Sequence, residues 1–269
     1  MSVPAATALT LWGAAHAGGA AADDVLAAVA GFGISAGVRR DGPAPEDSPA
    51  AALPGPGEAP VGAAMLLPLL RSDAPVLVLP RDGDVRGLPA TGGAGSALVV
   101  ASLRAGAAVV LPHAAVTVVP MDGQWRVFAG SGTPDLVDPV VAREELDHAV
   151  VRATEVFAGA ELGTDTAAAR AEVAAEIVAR TVVPPPGTPA RATALLDRCA
   201  QLEAILSVTA RHRTAAVTVF QLDQVDDALL PLIDASRQAR RAATAMTVHA
   251  LLNRRLAGDS RLRTPDHRR

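Results

Sequence analysis

The sequence contains no lysine and no tyrosine, and it has one asparagine, Asn253, and one cysteine, Cys199. Phosphate-loop NTPases, pyridoxal-phosphate enzymes and protein kinases each need a lysine that contacts the cofactor or the nucleotide phosphates. The absence of lysine therefore excludes these three classes. Whether the chain is an enzyme of another kind stays open at this point.

A single cysteine can form neither an intrachain disulfide nor a thiolate zinc cage. Cys199 lies in an amphipathic helical pattern, which predicts that it packs in a core. The six histidines are scattered along the chain, and no pair has the spacing of a zinc site. The sequence therefore predicts no metal site and leaves any cofactor unknown.

Aromatic residues make up only 2% of the chain, and its formal net charge is −4. No global positive field draws the protein to nucleic acid or to anionic lipid. The longest weakly charged stretch, residues 87–121, is interrupted by Arg104, Pro112 and His113, so it does not form a membrane span. The first residues lack the basic region of a secretory signal. We therefore predict a cytoplasmic protein with no membrane partner.

The chain has 269 residues, half of them apolar, and its pattern changes near Pro139. The predicted fold class is α+β or α/β, with a mixed-sheet domain over residues 1–139 followed by an all-α helical bundle over 140–257. Residues 41–62 form a Pro/Gly-rich loop, either a lid or a passive insertion. Residues 258–269 are predicted to be a polar, basic and flexible tail.

In the first half, short β-branched runs alternate with Ala- and Gly-rich stretches. Strands are predicted at residues 6–12, 34–38, 75–79, 107–111, 116–119 and 125–128. The first two, with a helix between them, form a β-α-β pattern. Ser96 is a candidate N-cap for a helix to about Ala105, and Asp122-Gly123 is a strong hairpin signal.

In the second half, apolar residues recur at helical spacing. Helices are predicted over residues 146–160, 166–180, 188–209, 218–231 and 232–256. Pro231 is expected to end or kink the fourth of them. The last carries small residues, including Ala239 and Ala242, which permit close helix approach.

The first candidate ligand site lies at the ends of two predicted strands. Gly13 and His16 follow the first strand, and a polar turn follows the strand at 75–79. If these strands are parallel neighbours, the two loops converge in a crevice. The turn contributes Arg81, Asp82, Asp84 and Arg86. Such a group could bind a metal-phosphate or do acid–base work, whereas Asp-Gly-Asp is also ordinary turn chemistry.

A second candidate is the glycine-rich segment before Ser96, which includes Gly92 and Gly93. Backbone N–H groups at a helix start can bind an anion. The segment matches neither the dinucleotide fingerprint nor the phosphate loop, so a simple glycine turn is the alternative.

The chain becomes basic at its end, with nine arginines against two aspartates from Arg237 onward. The candidate anion or partner contacts are Arg237, Arg240, Arg241, Arg254 and Arg255. Arginines near a helix C-terminus also complement the helix dipole, and this is the competing interpretation.

These observations favour a non-catalytic interaction or regulatory protein that associates with a partner or with itself through its helical half. The alternative is a small-molecule or nucleotide-binding enzyme with its site at the strand ends. A second alternative is nucleic-acid binding through the basic C-terminal helix.

Overall fold

The computed structural model of the chain describes residues 2–43, 48–71, 73–89, 96–130, 132, 135, 137–158, 166–212 and 219–262. Its helices are α1 (Ser2–Ala17), α2 (Ala22–Ala30), α3 (Leu67–Leu70), α4 (Ala97–Ala105), α5 (Pro139–Ala158), α6 (Thr166–Arg180), α7 (Ala190–His212) and α8 (Val219–Leu262). Its strands are β1 (Val38–Arg40), β2 (Val76–Val78), β3 (Ala108–Leu111), β4 (Val116–Met121) and β5 (Gln124–Ala129). Strands thus occupy the first half and helices most of the second.

The five strands form one mixed sheet in the order β1-β5-β4-β3-β2. The pair β1–β5 is parallel, and the other three pairs are antiparallel. The predicted fold class, a mixed sheet followed by a helical half, is confirmed.

The hairpin between β4 and β5 forms where its turn signal lies. Met121 pairs with Gln124 across a two-residue loop. Asp122 and Gly123 both have positive φ, 53° and 73°, which is the backbone that Asp-Gly tolerates and most dipeptides avoid. The three predicted strands that meet in this region are confirmed.

Helix α4 also begins and ends where local chemistry predicts. The Ser96 hydroxyl accepts a hydrogen bond from the Val99 amide at 3.3 Å, which satisfies an N-terminal donor of the helix. Gly106 ends the helix in the left-handed conformation. The predicted N-cap is confirmed.

Both faces of the sheet are buried. On one face α4 packs over a cluster that includes Ala108, Val110 and Phe128. The alternating residues Val109 and Leu111 point to the other face and have no exposed area. Helix α1 packs against β2, β3 and β4. Helices therefore form layers with the sheet, which removes its apolar side chains from water.

The prediction of a strand at residues 6–12 is wrong, because they lie inside α1. This helix is buried almost all round, so it shows no polar face and no helical periodicity in the sequence. The hydroxyls of Thr7 and Thr10 donate to the carbonyls of Val3 and Ala6, each at 2.8 Å. These bonds within the helix allow two threonines to be buried without lost hydrogen bonds.

Strand β1 lies later than the prediction of 34–38 and is only three residues long. Gly37, at φ 95°, passes so close to Val61 that a Cβ there would clash with the Val61 carbonyl oxygen. Val38 and Val61 bridge through both backbone groups. This contact positions the described part of the Pro/Gly-rich segment against β1.

Part of the described segment 48–62 packs on the protein, whereas residues 56–62 are exposed. Ser48 caps a 3₁₀ turn over Pro49–Ala52. Arg40 donates to the Leu53 carbonyl at 3.0 Å, and Ala50 and Leu53 are buried. No lid function follows from these contacts.

The predicted helices at 218–231 and 232–256 form a single helix, α8, with Pro231 inside it. A proline in a helix interior costs about 3 kcal/mol because it removes a hydrogen bond and crowds the preceding turn. Leu229, Leu232 and Ala235, on both sides of Pro231, are buried. We infer that this burial outweighs the local cost. Helix α8 also extends to Leu262, into the segment predicted as a tail.

The chain separates into two compact units, each discontinuous in sequence. The sheet unit comprises Met1–Asp135, Val183–Pro189 and Thr244–Arg269, and the helical unit comprises Leu136–Val182 and Ala190–Ala243. Helix α8 thus supplies residues to both units. Among the described residues, no helix is both long enough and apolar enough to cross a bilayer.

Candidate functional site

Gly13 and His16, predicted to follow a strand, lie within α1. A Cβ at Gly13 would lie 2.8 Å from Leu70 Cδ2 and 3.4 Å from Pro75 Cγ, so the glycine lets α1 approach α3 and the start of β2. His16 lies in the last turn, where its Nδ1 is 3.1 Å from the Ala20 carbonyl oxygen. Both residues thus have structural contacts within the sheet unit.

Arg81, Asp82, Asp84 and Arg86 lie together in one turn after β2. The amides of Arg81 and Asp84 each donate to the other's carbonyl at 2.9 Å. The Arg86 guanidinium donates to both carboxylate oxygens of Asp84, at 2.9 and 3.2 Å. These contacts are those of a closed polar turn.

The structure does not bring these two groups into the predicted crevice. Gly13 lies beside Pro75, before β2 begins, whereas the turn from Arg81 to Arg86 follows the opposite end of the strand. Strand β2 is also antiparallel to β3, and the first predicted strand is a helix. The structural premise of the crevice is therefore wrong. Gly92 and Gly93 lie outside the described residues.

The candidate arginines of α8 make contacts within the protein. Arg237 pairs with Asp234 at 3.2 Å, and Arg241, 6% exposed, donates to Gln238 at 2.8 Å. Arg254 lies against Gly187, and Arg255 donates to the Ala17 carbonyl at 2.7 Å.

The fifth arginine, Arg240, was predicted as an anion or partner contact and instead forms a buried polar cluster. It is 1% exposed, and its guanidinium donates to both carboxylate oxygens of Glu203, at 2.8 and 3.0 Å. Burial opposes the charge, but the attraction of Glu203 outweighs it and raises the pKa of Arg240 above its ordinary value. Arg240 therefore stays charged, and its ion pair with Glu203 lies between α7 and α8.

Cys199 belongs to the same cluster. It lies one helical turn before Glu203, is fully buried, and its Sγ is 3.5 Å from the Ser236 carbonyl oxygen. Burial is the main cause that raises the pKa of its thiol to about 11. A neutral buried thiol is a poor nucleophile, so Cys199 is a packing residue here.

A positional signal for this cluster was present in the sequence. Arg240 lies four residues after Ser236 and three before Ala243, which places it on the stripe of small residues that faces inward. Ser236 and Ala243 are buried. A charge inside such a stripe indicates a buried partner, although the sequence alone does not identify Glu203.

The helical unit has a shallow groove of about 640 Å³ between α5 and α8. The apolar residues that line it are Ala149, Val151, Pro231 and Ala235. The polar residues that line it are Glu145, His148, Arg152, Glu155, Asp234 and Gln238. A groove lined by both apolar and polar side chains is compatible in composition with a protein–protein contact.

All four helices of this unit expose branched aliphatic side chains. Val178 of α6 is 78% exposed and Val151 of α5 is 56% exposed. The others are Val140, Val141, Ile205, Leu230 and Ile233. In contrast, Ala239 and Ala242, the small residues that were expected to permit close helix approach, are buried within the protein. Arginine at either position would therefore disturb folding and would not report on association.

Within the described ranges, no three His, Cys, Asp or Glu side chains come together in a group that could hold a metal ion.

Comparison with known proteins gives two matches along the chain. Residues 6–135 match the family model described as Rv1486c-like protein, N-terminal domain, and residues 141–241 match that of the C-terminal domain. Searches of curated proteins and of solved structures found no match. This chain is therefore similar to the Rv1486c-like proteins along most of its length, with their N-terminal and C-terminal domains in the same order.

Proposed function

We propose that this protein is a non-catalytic interaction protein that associates with a second copy of itself through its helical unit. The observation that carries the proposal is the exposure of branched aliphatic side chains on the helices of this unit, one of which, Val151, lines the α5–α8 groove. Covering large exposed apolar side chains with a partner stabilises the complex by about 25 cal/mol per Å² of apolar surface buried.

The charges on α5 favour a second copy as the occupant. Glu145 and Arg152 are both exposed, and they lie seven residues apart, on the same side of the helix. If two copies of α5 pack antiparallel about a twofold axis, Glu145 of one copy faces Arg152 of the other, twice. A self-complementary pattern of this kind sets the orientation of an interface.

The proposal is tested by reversing one charge at a time. Glu145→Arg places like charges opposite each other in the pair, so we expect the dimer dissociation constant to rise at least about tenfold, equivalent to about 1.4 kcal/mol. Arg152→Glu should have the same effect. The double variant with both changes restores the opposite charges and should restore the dimer. Sedimentation velocity over a concentration series measures all three.

Arg170→Glu is the matched control for Arg152→Glu, because Arg170 is exposed on α6 and its replacement changes the net charge by the same amount. It should leave the dissociation constant within about twofold. A parent protein that stays monomeric at all concentrations would contradict the proposal, even if another protein binds it. So would single variants that dimerise as the parent does.

A cytoplasmic location is part of the same proposal. The single cysteine is buried as a neutral thiol, which suits a reducing compartment but does not require one. Microscopy of the protein fused to a fluorescent domain tests this, and accumulation at the cell envelope would count against it.

A further inference from the structure

Two arginines lie side by side at one end of the sheet. Arg39 of β1 and Arg126 of β5 are direct partners in the parallel register. Directly opposed residues in neighbouring strands project from the same face, so their guanidinium groups share one environment. Like charges in this position repel and destabilise the pair unless something compensates them.

The described residues supply one carboxylate for these two charges. Asp41 accepts a hydrogen bond from Arg126 Nη1 at 3.0 Å. Its other oxygen is 4.0 Å from Arg39 Nε, which is too long for a hydrogen bond. All three side chains are only about one-fifth exposed, at 20% for Arg39, 21% for Arg126 and 20% for Asp41.

Each of the two guanidinium groups also has a hydrogen-bond donor without an acceptor among the described residues. The Nε atoms of Arg39 and Arg126 are buried and have no acceptor among the described residues. Neighbouring Arg40 is different, because it donates to the carbonyls of Leu53 and Gly42 at 3.0 and 2.8 Å. Arg104 is different as well, because it pairs one-to-one with Asp122 at 3.1 Å. Of these four arginines, only Arg39 and Arg126 combine an unmatched charge with a buried donor that lacks an acceptor among the described residues.

A guanidinium group offers five donors in a planar fork that matches a carboxylate or a phosphate. Leaving such a charged donor buried and unpaired is costly. We propose that Arg39 and Arg126 form a binding site for a small oxyanion at the β1–β5 end of the sheet. The site lies in the sheet unit and does not depend on the proposed association of the helical unit.

Calorimetric titration of the full chain with inorganic phosphate, and separately with acetate, tests the proposal. Low ionic strength is needed, because salt screens a partly exposed site. We expect saturable binding of one equivalent per chain. The tighter of the two probes identifies whether phosphate or carboxylate is the preferred class. Arg39→Gln and Arg126→Gln should each weaken binding at least about tenfold, since each removes a charge-assisted contact.

Two further variants distinguish a site from general charge attraction. Asp41→Asn removes the competing carboxylate and should tighten binding several-fold, whereas Arg104→Gln removes an exposed positive charge elsewhere in the same unit and should change binding less than twofold. If Arg126→Gln fails to fold, Arg39→Lys and Asp41→Asn decide the question. The lysine keeps the charge but loses the fork, so binding should weaken without disappearing.

The proposal is overturned if neither probe binds saturably, which would mean that water alone hydrates the two guanidinium groups. It is also overturned if Arg39→Gln and Arg104→Gln reduce binding equally.

Discussion

Arg240 is the residue whose environment departs furthest from what its type favours. A guanidinium group loses several kcal/mol of hydration when it is buried, and a single well-placed carboxylate only partly offsets that loss. Two hydrogen bonds to Glu203 make the pair acceptable inside the protein. The main effect of the pair is therefore to fix the position of α7 relative to α8, and its contribution to net stability is small.

This interpretation predicts an asymmetry between single and double replacements. Glu203→Ala leaves a buried, unpaired Arg240 and should lower the free energy of unfolding by about 3–5 kcal/mol. Replacing both residues by leucine removes both charges and should lie within about 1 kcal/mol of the parent, or above it. Urea unfolding monitored by circular dichroism measures the three proteins.

The exposed pair Arg104–Asp122 provides the control, and Arg104→Ala should cost no more than about 1 kcal/mol. Equal losses of unfolding free energy in Glu203→Ala and in the double leucine variant would contradict the prediction that the unpaired buried charge causes the loss.

Cys199 gives a second prediction at this scale. Because burial raises the pKa of its thiol to about 11, iodoacetamide should not alkylate the folded protein at pH 8 but should react readily in urea. The unfolded thiol ionises near pH 8.5 and therefore binds fewer protons above that pH than the folded one. Folding stability should fall as pH rises from about 8.5 toward 11, and Cys199→Ala should lack this contribution. Rapid labelling of the native protein would show that the thiol is accessible.

At the scale of elements, the sequence correctly predicted two features that depend only on contacts between near neighbours. The Asp122-Gly123 turn and the Ser96 cap form as predicted, because each depends on a few neighbouring backbone angles and bonds. Helix α1 was predicted as a strand, because burial on all sides removes the alternation of polar and apolar positions that distinguishes a helix. In α1, burial on all sides thus hid the helical period from the sequence.

Pro231 was expected to separate two helices, and it lies instead inside α8. The proline itself is exposed, and the residues before and after it are helical. Pro231→Ala restores a backbone donor and removes the ring from the preceding turn, so we expect the free energy of unfolding to rise by about 1–3 kcal/mol. Thermal unfolding measures the change. Leu230→Ala, at a neighbouring position that is 52% exposed, is the control and should shift stability by less than about 0.5 kcal/mol. A destabilised Pro231→Ala protein would mean that the helix requires the proline's geometry.

At the scale of the whole molecule, the two compact units do not coincide with two continuous halves of the chain. The last part of α8 belongs to the sheet unit, where Val248 and Leu251 pack with Ala14 and Ala15 of α1. Val183, in the link between α6 and α7, belongs to the same unit, and its carbonyl accepts a hydrogen bond from Trp12 at 2.9 Å.

This arrangement predicts the effect of truncation. A chain that ends at Ala243 loses Val248 and Leu251, so α1 is left with an uncovered apolar side. We expect the sheet unit to lose several kcal/mol of stability, since each buried aliphatic side chain contributes about 1.5–3 kcal/mol. A chain that ends at Leu262 keeps this cluster and should unfold like the parent. Thermal melts followed by tryptophan fluorescence report on the sheet unit, which contains both tryptophans, Trp12 and Trp125. Identical melts of the two truncated chains would contradict the assignment of this segment to the sheet unit.

The same scale explains why the predicted ligand site did not form. Gly13 and the turn from Arg81 to Arg86 were expected to meet because two strands were taken as parallel neighbours. Strand order depends on contacts between residues far apart in sequence, which no local pattern contains. Arg39 and Arg126 are the converse case, since 86 residues separate two side chains that the β1–β5 register places opposite each other.

By itself, the sequence determined the excluded lysine chemistries, the class of the fold, the β4–β5 hairpin, the cap of α4 and the helical nature of the second half. Each of these depends on residue type or on bonds between near neighbours, and such information lies along the chain. Only the tertiary structure decided that residues 6–12 are helical, that Arg240 is buried against Glu203, and that the end of α8 completes the sheet unit. These outcomes depend on which distant surfaces meet and exclude water, and that free energy belongs to the packed molecule and to no single segment of it.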